Sequence, residues 1–200
     1  MRSFVPGGEG YGEHEDRGSK FYACVFHAKD QVSFQERLSQ IKKEHAKARH
    51  WCWAWRIGEA YRFEDDGEPG GTAGRPMLQV LEGSGLSNVA AICVRYFGGV
   101  KLGTGGLMRA YSGATARALD GTPREEVIQR MDFHLTLPFE LLGMRAELEA
   151  LCSSIHLEGD FNDEGWSGVA TINENEKPVF ENLLFEKGKG KVKWSQQEGR

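Results

Sequence analysis

The residues with the clearest chemical potential are glycines and basic side chains, which occur together in two segments. The first segment is "DGEPGGTAGRP" (66–76), and the second is "RYFGGVKLGTGGLM" (95–108). Each segment leads into a run whose apolar residues have helical spacing. A glycine-rich loop before a helix can turn several backbone N–H groups toward one point, where the helix adds about half a positive charge. The two segments therefore predict an anion-binding site.

Basic side chains within and beside these segments favour phosphate as the anion. Lys101 lies in the second segment, and Arg75 and Arg95 lie at the segment edges. Their charged N–H groups would add charge-assisted hydrogen bonds to phosphate oxygens. The residues predicted to bind the anion or a nucleic acid are Arg75, Arg95, Gly98, Gly99, Lys101, Gly103, Thr104, Gly105 and Gly106.

Neither segment matches a standard nucleotide-binding motif. Thr104 and Gly105 stand where a P-loop has Lys followed by Ser or Thr. Met108 occupies the position of the last glycine of the dinucleotide fingerprint. The pattern therefore assigns no nucleotide class, and a purely structural role of the glycines in tight turns and close helix packing stays open.

Acidic residues beside the first segment raise a second possibility, a magnesium-dependent enzyme. The candidate catalytic residues are His50, Asp65, Asp66 and Glu68. Carboxylates next to a phosphate site commonly hold Mg²⁺, and an unperturbed histidine titrates near neutral pH. The alternatives are a solvated turn and a structural histidine. Apart from Mg²⁺, we expect no metal and no cofactor.

The segment "HWCWAWRI" (50–57) alternates in the manner of a strand. Trp51, Trp53 and Trp55 fall on one face, and the small residues Cys52 and Ala54 fall on the other, where a helix could pack closely. Three indoles on one face would either stack unpaired bases or pack in the core.

Composition and charge limit the class of protein. No apolar run is long enough to span a membrane, and "MRSFVPGGEG" lacks the apolar core of a signal peptide, so we expect a soluble cytoplasmic protein without a membrane partner. Residues 1–130 carry 18 Lys/Arg and 16 Asp/Glu, whereas residues 131–200 carry 7 and 13. A nucleic-acid footprint must therefore be a local patch on the first part of the chain.

The hydrophobic periodicity predicts an α+β protein with two domains, residues 1–130 and 131–200. The second domain reads strand, helix, strand, strand, helix, strand, which is the βαββαβ ferredoxin-like arrangement. In the first domain Ser33 is expected to cap the first helix. The first domain is predicted to contain strands over 19–28, 50–57, 61–66 and 88–97, and helices over 33–48, 77–83 and 106–119.

Three segments together resemble the IMPACT/YigZ family, and the long glycine motif is highly specific to it. They are "RYFGGVKLGTGGLMRAYSGA", "DDGEPGGTAGRPMLQVLEGSGLSNV" and "HWCWAWRIG", which cover about residues 50–119. The resemblance implies an N-terminal domain similar to the second domain of ribosomal protein S-five and to domain IV of elongation factor G. It also implies a C-terminal domain similar to domain V of elongation factor G.

Three functions remain open at this point. The resemblance to ribosomal and elongation-factor domains favours a non-catalytic, translation-associated regulator that binds RNA or ribosome phosphates. The acidic residues favour a magnesium-dependent enzyme acting on a small phosphorylated substrate or nucleotide. The acidic charge of residues 131–200 favours an interaction scaffold that docks a basic protein partner.

Overall fold

The computed structural model of the protein describes residues 3–197 and contains two compact units. The division falls between Val127 and Ile128, beside the boundary predicted near residue 130. Each unit has a buried hydrophobic core of its own. The helices and strands of the first unit are β1 (Ser3–Pro6), β2 (Gly10–Asp16), β3 (Ser19–His27), α1 (Gln31–Glu44), β4 (His50–Ile57), β5 (Ala60–Glu64), α2 (Gly74–Gly83), β6 (Val89–Tyr96), α3 (Gly103–Asp120) and β7 (Arg124–Val127).

The first unit is built on a five-stranded antiparallel sheet in the order β2-β3-β6-β4-β5. Helix α1 covers one face, where Phe34, Leu38 and Ile41 are buried against the sheet. Helices α2 and α3 cover the other face. Strand β6 is central and covered on both faces, which explains its apolar run "VAAICV". A separate two-stranded sheet pairs β1 with β7.

Helix α1 begins earlier than predicted. Its N-cap is Asp30, whose carboxylate accepts a hydrogen bond from the Ser33 backbone N–H at 2.7 Å. The Ser33 hydroxyl oxygen in turn accepts one from the Asp30 backbone N–H at 3.2 Å. This reciprocal capping box places Ser33 at the third helical position, so the prediction of Ser33 as the N-cap was wrong.

Strand β2 was not predicted, because the residues that face the core are glycines. A Cβ on Gly10 would lie 2.1 Å from the Ala118 carbonyl oxygen, and one on Gly12 would lie 2.4 Å from that of Ala114. Helix α3 therefore lies directly on the backbone of β2. Only glycine permits this approach, and the strand consequently lacks the apolar alternation that identifies strands.

The second unit has the predicted βαββαβ order. Its elements are β8 (Arg130–Pro138), α4 (Met144–Leu151), β9 (His156–Asn162), β10 (Gly165–Asn173), α5 (Lys177–Gly188) and β11 (Lys193–Gln196). The four-stranded antiparallel sheet has the order β11-β8-β10-β9, with both helices packed on one face over Phe133, Leu135 and Leu137.

Within residues 3–197, no helix combines the length and the apolar character needed to cross a membrane.

Candidate functional site

The structure brings the two glycine-rich segments together at one end of the first sheet. Here β6 ends, β3 and β4 begin, and Arg95 lies opposite His50 in the β4–β6 register. Helix α2 begins against the end of β5, since a Cβ on Gly74 would lie 2.8 Å from the Glu64 nitrogen. Helix α3 begins soon after β6. We call residues 65–73 the first loop and residues 97–102 the second loop.

The backbone amides of the first loop already bind an anion, the side chain of Asp65. Its carboxylate accepts hydrogen bonds from the N–H groups of Gly71 at 2.7 Å, Ala73 at 3.0 Å and Gly74 at 2.8 Å. A negative charge at the start of α2 also interacts favourably with the helix dipole. Asp65 is therefore a structural ligand of this loop, which corrects its prediction as a metal ligand.

A buried ion pair lies beneath the two loops. The Arg95 Nη1 lies 2.7 Å from Glu68 Oε1 and 3.0 Å from Oε2, and the two side chains are only 7% and 4% exposed. The Tyr111 hydroxyl donates a further hydrogen bond to Glu68 at 2.8 Å. Arg95 thus offers no exposed guanidinium to a phosphate, and Glu68 offers no carboxylate to a metal. Both predictions are corrected by this pairing.

Hydrogen bonds extend from the ion pair to both loops. The Ser19 hydroxyl accepts from Arg95 Nη2 at 3.4 Å and from the Gly98 backbone N–H at 3.1 Å. On the other side, the Cys52 thiol donates to the Asp65 carbonyl oxygen at 3.0 Å. Arg95, Ser19 and Cys52 therefore hold the two loops to the neighbouring strands β6, β3 and β4.

Burial keeps the neutral members of this network protonated. Desolvation is the main reason that the pKa of the Tyr111 hydroxyl and the pKa of the Cys52 thiol lie well above their usual values. Both groups therefore remain hydrogen-bond donors at neutral pH. Their role is structural, because each donates to a neighbouring oxygen inside the fold.

His50 and Asp66 also have structural partners. The His50 Nδ1 lies 2.8 Å from the Asp66 carbonyl oxygen, to which it must donate, and the Asp66 carboxylate accepts from the Trp51 backbone N–H at 2.7 Å. Among residues 3–197, no three His, Cys, Asp or Glu side chains are grouped so that they could hold a metal ion. The carboxylates on which the magnesium hypothesis depended are thus bound elsewhere.

The second loop is, in contrast, open to solvent. Lys101 is exposed and has no ion-pair partner in the described part of the chain, and Phe97 and Val100 are 47% and 49% exposed. Helix α3 begins after Leu102 without a side-chain cap from any described residue. The remaining predicted residues that stay exposed here are Gly98, Gly99, Gly103, Thr104 and Gly105.

Two predicted residues lie apart from this exposed set. Gly106 is buried in the first turn of α3, where its Cβ would meet Leu102 at 2.9 Å. Arg75 is exposed in the first turn of α2. Of the three basic residues predicted from the sequence, Lys101 and Arg75 are therefore accessible and Arg95 is not.

The tryptophan face of β4 is not a surface for stacking bases. Trp55 is 3% exposed, and Trp53 packs with its ring 5.0 Å from that of Phe34 in α1. The core-packing alternative is therefore correct for this face. On the opposite face, Cys52 and Ala54 are buried in the core beneath α2 and α3, as their small size predicted.

Ser19 and Tyr111 were not identified from the sequence as part of this network. Tyr111 lies on the buried apolar face of α3, and such a position carries no signal for its hydroxyl. A signal did exist for the ion pair, because Arg95 directly follows the apolar run "VAAICV" within a strand that is covered on both faces. A charge in that position requires a buried partner.

Sequence comparisons agree with this architecture. A model of the Impact N-terminal domain matches residues 17–119. The chain belongs to the IMPACT family. An IMPACT family member from Haemophilus influenzae is 35% identical over 189 residues, which cover 90% of this chain and 89% of that protein. The IMPACT family member YigZ from Escherichia coli is 38% identical over 139 residues, covering 64% of this chain and 68% of that protein.

A solved structure supports the two-domain α+β fold. The crystal structure of a hypothetical protein aligns with a TM-score of 0.69 and 28% identity, covering 100% of this chain and 98% of that one. This likeness covers the second unit as well as the first. This IMPACT-family protein therefore has the α+β class predicted from its sequence.

Proposed function

We propose that this IMPACT-family protein is a non-catalytic regulator associated with translation and that it binds RNA or ribosome phosphates at the second loop. The proposal rests on the exposed basic loop at the start of α3. It is supported by the resemblance of IMPACT-family domains to domains of a ribosomal protein and an elongation factor. The phosphate contacts would come from Lys101 and from the backbone amides of the second loop and the first turn of α3.

The main support for this proposal is the difference between the N-terminal ends of α2 and α3. Asp65 accepts hydrogen bonds from three backbone amides at the start of α2, so these amides are not free to bind an external anion. Helix α3 is longer, spans 18 residues and lacks a side-chain cap among residues 3–197. The partial positive charge at its start is therefore exposed beside Lys101, which is the combination that attracts phosphate.

The described residues of the site do not favour a magnesium-dependent enzyme over a protein that binds RNA or ribosome phosphates. Asp65, Asp66 and Glu68 all accept hydrogen bonds within the fold, and His50 is held by the Asp66 carbonyl. A group that performs general acid or base catalysis must reach the substrate. The exposed, basic second loop fits binding rather than proton transfer.

The first test is a salt titration of RNA binding, with a short fluorescent RNA of mixed sequence and fluorescence anisotropy as the readout. We expect log K to fall linearly with log salt concentration, because bound cations are released from the RNA. The Lys101→Ala variant should lower the magnitude of that slope by about 1 and weaken binding to all sequences alike.

Lys29→Ala is the matched control. Lys29 is also exposed, but it follows the opposite end of β3. The Lys29→Ala variant should bind RNA as the unaltered protein does. If Lys101→Ala and the unaltered protein bind equally at every salt concentration, the second loop is not the phosphate site.

A further inference from the structure

Phe97 is an exposed aromatic residue whose ring packs against the Arg95 guanidinium of the buried ion pair. The Arg95 guanidinium carbon lies 5.5 Å from the ring centroid of Phe97 and 5.5 Å from that of Phe21. Phe21 is fully buried in the core, whereas Phe97 is 47% exposed. The order from core to solvent is therefore Phe21, Arg95, Phe97.

The geometry of β6 explains this position. Side chains alternate along a strand, so Cys93 and Arg95 point to the face covered by α2 and α3, and Phe97 follows in the same phase. Phe97 lies just beyond the last residue of β6, where the strand leads into the second loop. The ring thus stands at the edge of the proposed phosphate site and not on the opposite side of the sheet.

The ring is also held in place before any ligand arrives. Arg95 is fixed by Glu68 and Ser19, and a cation over an aromatic face is attractive. The adjacent Gly98 is bound to Ser19 through its backbone N–H. A surface ring that is already ordered loses little conformational freedom when a ligand stacks on it.

Lys101 is near enough to serve the same ligand. Lys101 is four positions after Phe97 in the chain, so the two Cα atoms lie within roughly 14 Å even if the loop were fully extended. An ordered aromatic ring beside an exposed cation is the combination used to bind single-stranded nucleic acid, in which bases stack and phosphates meet positive charge. The apolar Val100, 49% exposed, lies between them in the sequence.

We propose that Phe97 stacks on an unpaired RNA base while Lys101 contacts a neighbouring phosphate, so that the second loop selects single-stranded over double-stranded RNA. This inference rests on the proposed function and specifies the class of ligand, which is single-stranded RNA. Bases inside a duplex are stacked on each other and present no free face to a side chain. A site that used phosphate contacts alone would not distinguish the two forms in this way.

The experiment compares one RNA sequence as a single strand and as a perfect duplex, with anisotropy as the readout. Phe97→Ala should weaken single-strand binding about 5- to 150-fold and leave duplex binding unchanged. Phe97→Tyr, which keeps an aromatic face, should retain single-strand binding. Phe185→Ala is the matched control, because Phe185 is also an exposed aromatic residue but belongs to the second unit.

A further variant, Phe97→Leu, distinguishes base stacking from a structural role in which the Phe97 side chain only shields the ion pair from solvent. Phe97→Leu keeps an apolar cover but removes the aromatic face, so it should fold with an unchanged melting temperature and still lose single-strand binding. If Phe97→Leu binds the single strand as the unaltered protein does, the stacking inference is overturned.

The same data distinguish this inference from the function on which it rests. Weakened binding in Lys101→Ala together with normal binding in Phe97→Ala would retain phosphate binding and reject stacking. Equal loss of single-strand and duplex binding in Phe97→Ala would also reject it. Absence of RNA binding by the unaltered protein would reject both proposals.

Discussion

Arg95 and Glu68 hold the functional end of the first unit together. Their ion pair connects the first loop to the central strand, and Ser19 extends the connection to the second loop. Two charges this deeply buried are costly unless they are paired and hydrogen-bonded. The pair therefore acts through the positions of the loops, and the contact with any ligand is left to the exposed residues around it.

Removing one partner of this pair should strongly destabilise the protein. Glu68→Gln leaves the Arg95 charge buried without a counter-charge, so we expect the free energy of unfolding of the first unit to fall by about 3–5 kcal/mol. Urea denaturation followed by far-ultraviolet circular dichroism measures this loss. Glu82→Gln, an exposed change in α2, is the control and should cost less than about 0.5 kcal/mol.

The site was only partly predictable from residue types. The second glycine-rich segment was predicted to lead into a helix, and α3 begins in it at Gly103, because glycines before helically spaced apolar residues carry a local signal. Anion binding by Lys101 and these glycines stays a prediction. The pairing of Arg95 with Glu68 joins residues that are 27 positions apart, and local sequence does not encode that distance. The same limit applies to Asp65, whose carboxylate could have faced solvent, a metal or its own loop.

At the scale of elements, the close packing of α3 on β2 determines which segments could be predicted. The periodic helices and the apolar strand β6 have strong local patterns, and the structure contains them. Strand β2 has glycines where an ordinary strand has apolar residues, so its pattern is visible only once α3 is placed. Strand β7 is fully exposed and short, and its sequence reads equally well as a turn.

This packing can be tested with one added methyl group. In Gly12→Ala the new Cβ would overlap the backbone of α3 at Ala114, Arg117 and Ala118, so we expect a loss of about 1–3 kcal/mol or more in stability. The measurement is the midpoint of thermal or urea unfolding.

Gly83→Ala is the matched control for that change. Nothing lies within 4 Å of a Cβ at Gly83, the last residue of α2. Alanine there should leave stability unchanged or raise it by up to about 1 kcal/mol, because it favours the helix. Equal effects at Gly12 and Gly83 would mean that α3 does not rest on the β2 backbone.

At the scale of the whole molecule, the two units have separate cores and different charge. Residues 128–200 bury Phe133, Trp166 and Phe180 in a single core of their own. Domains with their own core can in principle fold alone. The proposed RNA site lies wholly within the first unit, whereas the acidic second unit is the part to which the scaffold hypothesis assigned a basic partner.

We therefore expect residues 3–127 and 128–200 to fold as separate polypeptides. Each should show a cooperative thermal transition and fixed aromatic signals in near-ultraviolet circular dichroism. The first polypeptide should keep the RNA affinity and salt slope of the intact protein, and the second should show neither. An unfolded first polypeptide, or RNA binding by the second, would contradict this division of roles.

The contact between the turn after β2 and the second loop bears on protein engineering. A Cβ on Gly98 would lie 1.9 Å from the carbonyl carbon of Gly18, so the hairpin turn and the loop fit against each other backbone to backbone. Hairpin tips are usually the preferred places for inserting a tag or a fluorophore, but here an insertion would displace the loop. The tip between β4 and β5 at Gly58, with nothing within 4 Å of its Cβ position, is the better attachment point.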